Sequence, residues 1–290
     1  MIGHVASAHE ASGRVVLRFT SGAGAADAAF EAAARIAEAF QSEIEGLFVE
    51  ERQLVDLTAY GFVKETSLTG TMTRPISVAE IEREFRSACH GMRQRLERLG
   101  RQIDTRVITT ITRDDPLPAL ARTCAAAGPW NVVVLGEPFR ARSGLMLGEI
   151  LASVRDATGL VTVGPRSMRT KGPVVAAIEN TDRMSGIVRT AERLASANGG
   201  RNGGVIALLI ADDFHHLSWL ETQARLAFSG GQPPQFFAAP PTRGEPGVAA
   251  EAIRQLKAGF VVAQFGGMAV PYDDLSPLST ALECPLFLLR

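Results

Sequence analysis

Strands and helices are written into the chain as two alternating periods of apolar residues. Arg14–Thr20 (RVVLRFT) is a β-branched run that breaks at Ser21-Gly22, and it predicts a first strand. An alanine-rich helix follows from about Ala25 to Gln41, with Phe30, Ala33, Ala34, Ile36, Ala37 and Phe40 on one face, and Ile44–Val49 is a second strand. A β-α-β opening of this kind implies a parallel pair joined by a right-handed crossover. Residues 50–75 are rich in Thr, Gly and Ser but carry Leu54, Leu57, Tyr60 and Phe62, which predicts a partly helical insertion folded over the first domain. Ser77 with Glu80 three residues on reads as a capping box. Ile81, Phe85, Ala88, Met92, Leu96 and Leu99 then recur at helical spacing, with Gly100 as the stop. Ile103–Ile111 is the third predicted strand. Asp114-Asp115-Pro116 starts a helix over Leu117–Ala127, and Asn131–Gly136, Leu147–Asp156 and Leu160–Val163 complete a strand, a helix and a fifth strand.

After the Pro, Gly and basic stretch at 164–173 the order begins again. The pattern predicts strand Val174–Asn180, helix Arg183–Asn198, strand Val205–Ile210, helix Phe214–Phe228, strand Gln235–Ala238, helix Val248–Lys257 and strand Phe260–Gln264. A short helix near Leu278–Leu282 and strand Leu286–Leu289 close it. Repetition at the same coarse spacing points to an internal duplication. The expected organisation is one domain over residues 1–164, with its insertion around 50–76, and a second, more degenerate one over 173–290.

Residues 132–164 (VVVLGEPFRARSGLMLGEILASVRDATGLVTVG) and 283–290 (ECPLFLLR) give this layout a resemblance. The chain is similar to a tandem pair of universal stress proteins. The resemblance implies an α/β fold: two tandem doubly wound parallel-sheet domains, adenine nucleotide alpha hydrolase-like, related by a pseudo-two-fold axis. It also implies a cytoplasmic protein of the stress response, with Leu160–Val163 and Leu286–Leu289 as neighbouring antiparallel strands that make an internal pseudo-dimer. Members that bind ATP carry an acidic residue at the end of the first strand. After the fourth strand they have Gly, two residues, Gly, nine residues, Gly and Ser or Thr.

This sequence departs from that pattern in both copies. Thr20 stands where the acid would be, Phe139 replaces the second Gly, and the third appears one residue early as Gly148 followed by Glu149. In the second half Glu179 or Asn180 could replace the acid, yet no Gly-Ser pair follows Gly266-Gly267. Glycines let backbone N–H groups approach a phosphate, whereas a carboxylate at the start of a helix repels one while suiting the helix dipole. The resemblance thus places a candidate nucleotide or anion cleft at Thr20, Ser21, Gly22, Val49, Gly136, Arg140, Arg142, Ser143, Gly148 and Glu149. Arg140 and Arg142 supply guanidinium groups suited to phosphate or carboxylate.

Composition changes this picture little. Thirty Lys and Arg against 31 Asp and Glu, a formal net charge of -1, are no basis for binding nucleic acid. No apolar run approaches the ~20 residues that span a bilayer, and residues 1–13 do not read as a secretory signal, so a cytoplasmic protein is expected. Cys89, Cys124 and Cys284 form no C-x-x-C pair and read as buried, reduced thiols. Gly22, Gly24 and Glu50 approach a dinucleotide fingerprint, but Asp27 stands at its third glycine; a glycine-rich turn before the helix is the plainer reading. The pairs Asp114-Asp115, Asp212-Asp213 and Asp273-Asp274 each precede a helix and read as caps rather than metal ligands. His215 and His216 point about 100° apart on a helix and do not converge on one ion. No nucleophile-base pair assembles, so no enzyme is expected. The reading is a regulatory or interaction protein with an unidentified protein or small-molecule partner and no tight hold on ATP. The alternatives are an ATP- or AMP-binding switch using the first cleft and, behind it, a nucleotide hydrolase or transferase; a homo-oligomer is compatible with all three.

Overall fold

The computed structural model of the chain describes every residue except 1–12, 21–26, 53–55, 57–63, 67–72, 76, 128–129, 136–146, 198–202, 229–232, 240–245, 268, 271–277 and 279–280. The first half contains β1 (Arg14–Thr20), α1 (Asp27–Phe40), β2 (Glu43–Glu51), β3 (Lys64–Thr66), β4 (Thr73–Pro75), α2 (Val78–Gln102), β5 (Val107–Asp114), α3 (Pro116–Ala126), β6 (Asn131–Leu135), α4 (Leu147–Ser153) and β7 (Ala157–Thr162). The second contains β8 (Val174–Ile178), α5 (Met184–Ser196), β9 (Val205–Leu209), α6 (Phe214–Ala227), β10 (Gln235–Ala238), α7 (Pro246–Gln255), β11 (Phe260–Gln264) and β12 (Leu286–Leu289).

Ten of these strands form one sheet in the order β10-β9-β8-β11-β12-β7-β6-β1-β2-β5, and every neighbouring pair is parallel except β7–β12. Counted within its own half, each run of five has the order third, second, first, fourth, fifth. The two sheets expected from the sequence are therefore one, joined where their last strands meet. Phe287 lies opposite Val161, Leu288 opposite Leu160 and Leu289 opposite Gly159, the antiparallel pairing expected of these segments. Each strand covers an apolar edge that the other would leave open. Gly159 makes room for the crossing, because a Cβ there would sit 2.2 Å from Cε2 of Phe287.

Alternation along the strands sends Val15, Leu17 and Phe19 to one face and Val16 to the other. Helices α1, α2, α5 and α6 pack on the first face, and α3, α4 and α7 on the second. Both apolar layers run through both halves. Strand β8 and residues Val132–Leu135 of β6, buried on both faces, read as unbroken aliphatic runs for that reason.

Side chains on α1 fasten the halves together. Arg35, 5% exposed, donates from Nε to the Leu194 carbonyl at 3.1 Å and from Nη1 to the Thr170 carbonyl at 3.2 Å. Leu194 belongs to the last turn of α5, whose carbonyls have no helical partner and carry the negative end of the dipole. Burial lowers the Arg35 guanidinium to about 10. Arg193 of α5 lies over the Phe40 ring at 5.3 Å, a second tie between the halves. The connecting stretch is pinned as well. Ser167 Oγ donates to the Cys284 carbonyl at 3.1 Å, and the amides of Met168 and Arg169 both donate to the Glu283 carbonyl. Gly172 passes at φ 134° against Lys257 and Gly259, a backbone conformation that favours glycine.

Several local expectations are corrected. Helix α2 runs through Gly100 to Gln102 and turns at Asp104 (φ 51°), so Gly100 is not its stop. Gly100 is small because Val107 Cγ2 and the Thr105 carbonyl would lie 2.4 and 2.8 Å from a Cβ there. Strand β5 accordingly starts at Val107 rather than Ile103. Ser77 caps α2 with extended backbone but without a side-chain hydrogen bond, so the capping box is not formed. The segment expected to be partly helical is helical at Arg52 and Asp56 and also contains an antiparallel hairpin that was not expected, β3–β4, with Lys64 opposite Pro75 and Thr66 opposite Thr73. Asp213 does cap α6, accepting the His216 amide at 2.8 Å.

Candidate functional site

The carboxyl ends of β1, β2 and β6 and the start of α4 frame the expected cleft in the first half. Thr20 ends β1 in register with Val49 of β2, which is fully buried. Glu149 stands exposed in the first turn of α4. Among the described residues nothing lies within 4 Å of a Cβ built on Gly148, so packing does not demand a glycine there. Ser21, Gly22, Gly136, Arg140, Arg142 and Ser143 lie outside the described residues, as does the Thr20 side chain. The structure thus brings Thr20 and Val49 together and puts Gly148 and Glu149 at the head of α4.

A residue that the sequence reading passed over sits beneath this edge. Arg18 is 5% exposed, and the alternation of β1 puts it on the same sheet face as Val16, between Leu47 and Leu135 of the adjoining strands. Its signal was visible as a cation inside an apolar strand, a residue type almost never buried without partners. Glu50, the acidic end of the near-fingerprint, is committed elsewhere. It accepts Arg113 Nε at 2.7 Å, and Arg113 reaches on to Glu82 at 2.6 Å. Hydrogen bonds donated to the Glu50 and then the Glu82 carboxylate hold the Arg113 guanidinium protonated, above its ordinary range. Arg122 and Asp114 form a further pair, and that bond keeps the Asp114 carboxyl below the usual range.

The second half resolves its acidic position differently. Glu179 follows β8 directly, at the place Thr20 holds on β1, and is 4% exposed. Its Oε1 accepts the Ala269 amide at 2.9 Å from the loop after β11. Gly267 passes so close that a Cβ there would meet Glu179 Oε2 at 2.2 Å, which is why the loop carries glycine at this point. Gly266 enters the turn at φ 82° and donates to the Val270 carbonyl. The acid at the end of the first strand therefore accepts an amide of the chain's own loop. Asn180, the other candidate, donates from Nδ2 to Gln264 Oε1 at 3.1 Å.

The fold is shared with a solved structure. A universal stress protein from Archaeoglobus fulgidus DSM 4304 superposes with a TM-score of 0.59 at 12% identity, over 96% of this chain and 96% of that one. The chain has the universal stress protein fold. Universal stress protein UspA from Lactobacillus plantarum aligns over 50% of this chain and 91% of its own, at 18% identity and a TM-score of 0.34. No family model and no curated protein matches the sequence.

Other chemistry is limited by burial. Cys89, Cys124 and Cys284 are buried, as expected, and burial pushes their thiols up to about 11, 12 and 12. A thiol held protonated is a poor nucleophile and a poor metal ligand. Among the described residues no three His, Cys, Asp or Glu side chains converge. Nor, among them, is any helix long and apolar enough to cross a membrane.

Proposed function

We propose that the chain is a tandem universal stress-type protein, residues 1–164 and 173–290, that acts as a regulatory or interaction protein in the cytoplasm rather than by catalysis. The Glu179–Ala269 contact carries this reading. Glu179 stands where ATP-binding members carry their acid, but here its carboxylate is bonded to the chain's own loop, so a nucleotide would have to compete with that loop for it. In the first half the exposed Glu149 carboxylate at the head of α4 opposes an anion. The chain then binds ATP weakly or not at all.

A second reading is an ATP- or AMP-binding switch confined to the first cleft. It is favoured by a difference between the two edges: Arg18 puts a buried cation beneath the first, whereas the Glu179 carboxylate of the second is bonded to its own loop. Arg140 and Arg142 would then be its surface contacts. Calorimetry on nucleotide-free protein separates the two readings. A dissociation constant for ATP with Mg²⁺ above about 10 μM agrees with the first, and a tighter one, abolished by Arg140→Ala with Arg142→Ala and strengthened by Glu149→Ser, establishes the second. Steady release of phosphate would overturn both in favour of a hydrolase.

A further inference from the structure

Sulfur is sorted by the fold. Of the sulfur-bearing side chains among the described residues, Cys89, Cys124, Cys284 and Met184 are buried, and Met92 is half-buried against the core from α2. Met168 is the exception, at 91% exposed. Its thioether belongs to neither apolar layer, so packing gives no reason for a methionine there.

Fraying does not explain that exposure, because the backbone around Met168 is held. Residues 164–167 close a turn in which the Ser167 amide donates to the Gly164 carbonyl at 3.0 Å and the Gly164 amide to Ser167 Oγ at 3.0 Å. Ser167 Oγ donates onward to the Cys284 carbonyl, and the Met168 and Arg169 amides share the Glu283 carbonyl at 3.0 and 2.8 Å. Arg169 also bonds the Glu283 side chain at 2.9 Å, and the next carbonyl, that of Thr170, accepts Arg35. A fixed mount where the two halves meet thus holds one soft sulfur out in water.

We propose that Met168 is a reversible oxidation site, the position at which a peroxide marks this chain without unfolding it. The sulfur lone pair attacks one peroxide oxygen and forms the S–O bond as the O–O bond breaks. Hydroxide leaves, takes the proton from the oxygen now on sulfur and becomes water, so sulfur loses two electrons and the peroxide gains two. No thiolate is needed, whereas oxidation of Cys89, Cys124 or Cys284 needs one that burial withholds. The product replaces a flexible apolar group by a polar, chiral sulfoxide. That changes the surface of the connector and leaves both cores as they were. In the return step two thiols convert the sulfoxide to the thioether, a disulfide and water, and an exposed side chain is open to the reductases that use this chemistry.

The full chain, treated natively with hydrogen peroxide near neutral pH, quenched, digested and weighed, tests this. Sulfoxide should form on the Met168 peptide about tenfold faster or more than on the Met92 and Met184 peptides. The circular dichroism spectrum should stay native, and all three thiols should still titrate in denaturant. In urea the three methionine rates should converge, because exposure no longer separates them. Both epimer-specific sulfoxide reductases with dithiothreitol, added to the folded oxidised chain, should restore Met168. Met168→Leu should keep the wild-type unfolding midpoint, as a side chain outside both cores requires. A native Met168 no faster than Met184, an advantage that survives in urea, loss of the native spectrum on oxidation of Met168, or a sulfoxide that the reductases leave in place overturns the proposal.

Discussion

Replacing Glu179 by Ala tests the closed edge of the second half. The carboxylate is 4% exposed and accepts the Ala269 amide at 2.9 Å, while Ala269 itself is fully buried. A hydrogen bond to a charged group contributes about 1.5–3 kcal/mol, and a buried amide left without an acceptor costs about 1–3 kcal/mol. These overlap, because both describe one bond, so the Ala variant should lose about 2–4 kcal/mol. Glu179→Gln keeps an acceptor oxygen in the same place and loses only the charge assistance, about 1 kcal/mol. Urea unfolding followed by circular dichroism measures both, and amide hydrogen exchange at Ala269 locates the effect. Exchange at Ala269 should accelerate in the Ala variant before the β11 amides are affected. An Ala variant within about 0.5 kcal/mol of wild type, or unchanged exchange at Ala269, would refute the assignment of Glu179 as the acceptor that holds this loop.

Gly159→Val should destabilise by about 1–3 kcal/mol in thermal unfolding, because its Cβ would meet the Phe287 ring at 2.2 Å and strain the β7–β12 seam. Asp213→Ala removes the acceptor for the His216 amide and should cost about 0.5–2 kcal/mol by the same assay. Bonds from the His216 and then the His215 amide hold the Asp213 carboxyl below its ordinary range, so its contribution is present above the unfolded value near 4 and lost as pH falls below it. The three thiols should resist an aromatic disulfide reagent at about pH 8 in the native protein and react fully in denaturant. Their raised folded values also mean that the unfolded chain releases protons first, so stability should fall as pH rises above about 9.

The sequence by itself determined the order of the elements, because helix and strand periods are local properties of a few turns or residues. Strands β10, β11 and β12 begin and end where the pattern of Gln235–Ala238, Phe260–Gln264 and Leu286–Leu289 puts them. Burial of the cysteines and of Phe30 and Phe85 was equally legible from type and spacing. Of the candidate cleft, the strand end at Thr20 and the head of α4 at Gly148 and Glu149 were legible for the same reason, whereas β2 runs past Val49 to Glu51. What depended on partners distant in the chain was not. Nothing near Gly100 announces that Val107 and Thr105 will press on it, and the turn passes instead to Asp104. The connector at 164–173 reads as a loose basic linker, yet residues 283–284 and Arg35, more than a hundred positions away, pin it. Glu179 is an acid at a strand end in either view; only the folded chain decides that Ala269, 90 residues later, supplies its hydrogen bond and closes that edge. Tertiary structure settles such cases because a buried polar group must find its partner wherever the fold brings one, and sequence distance sets no limit on that choice.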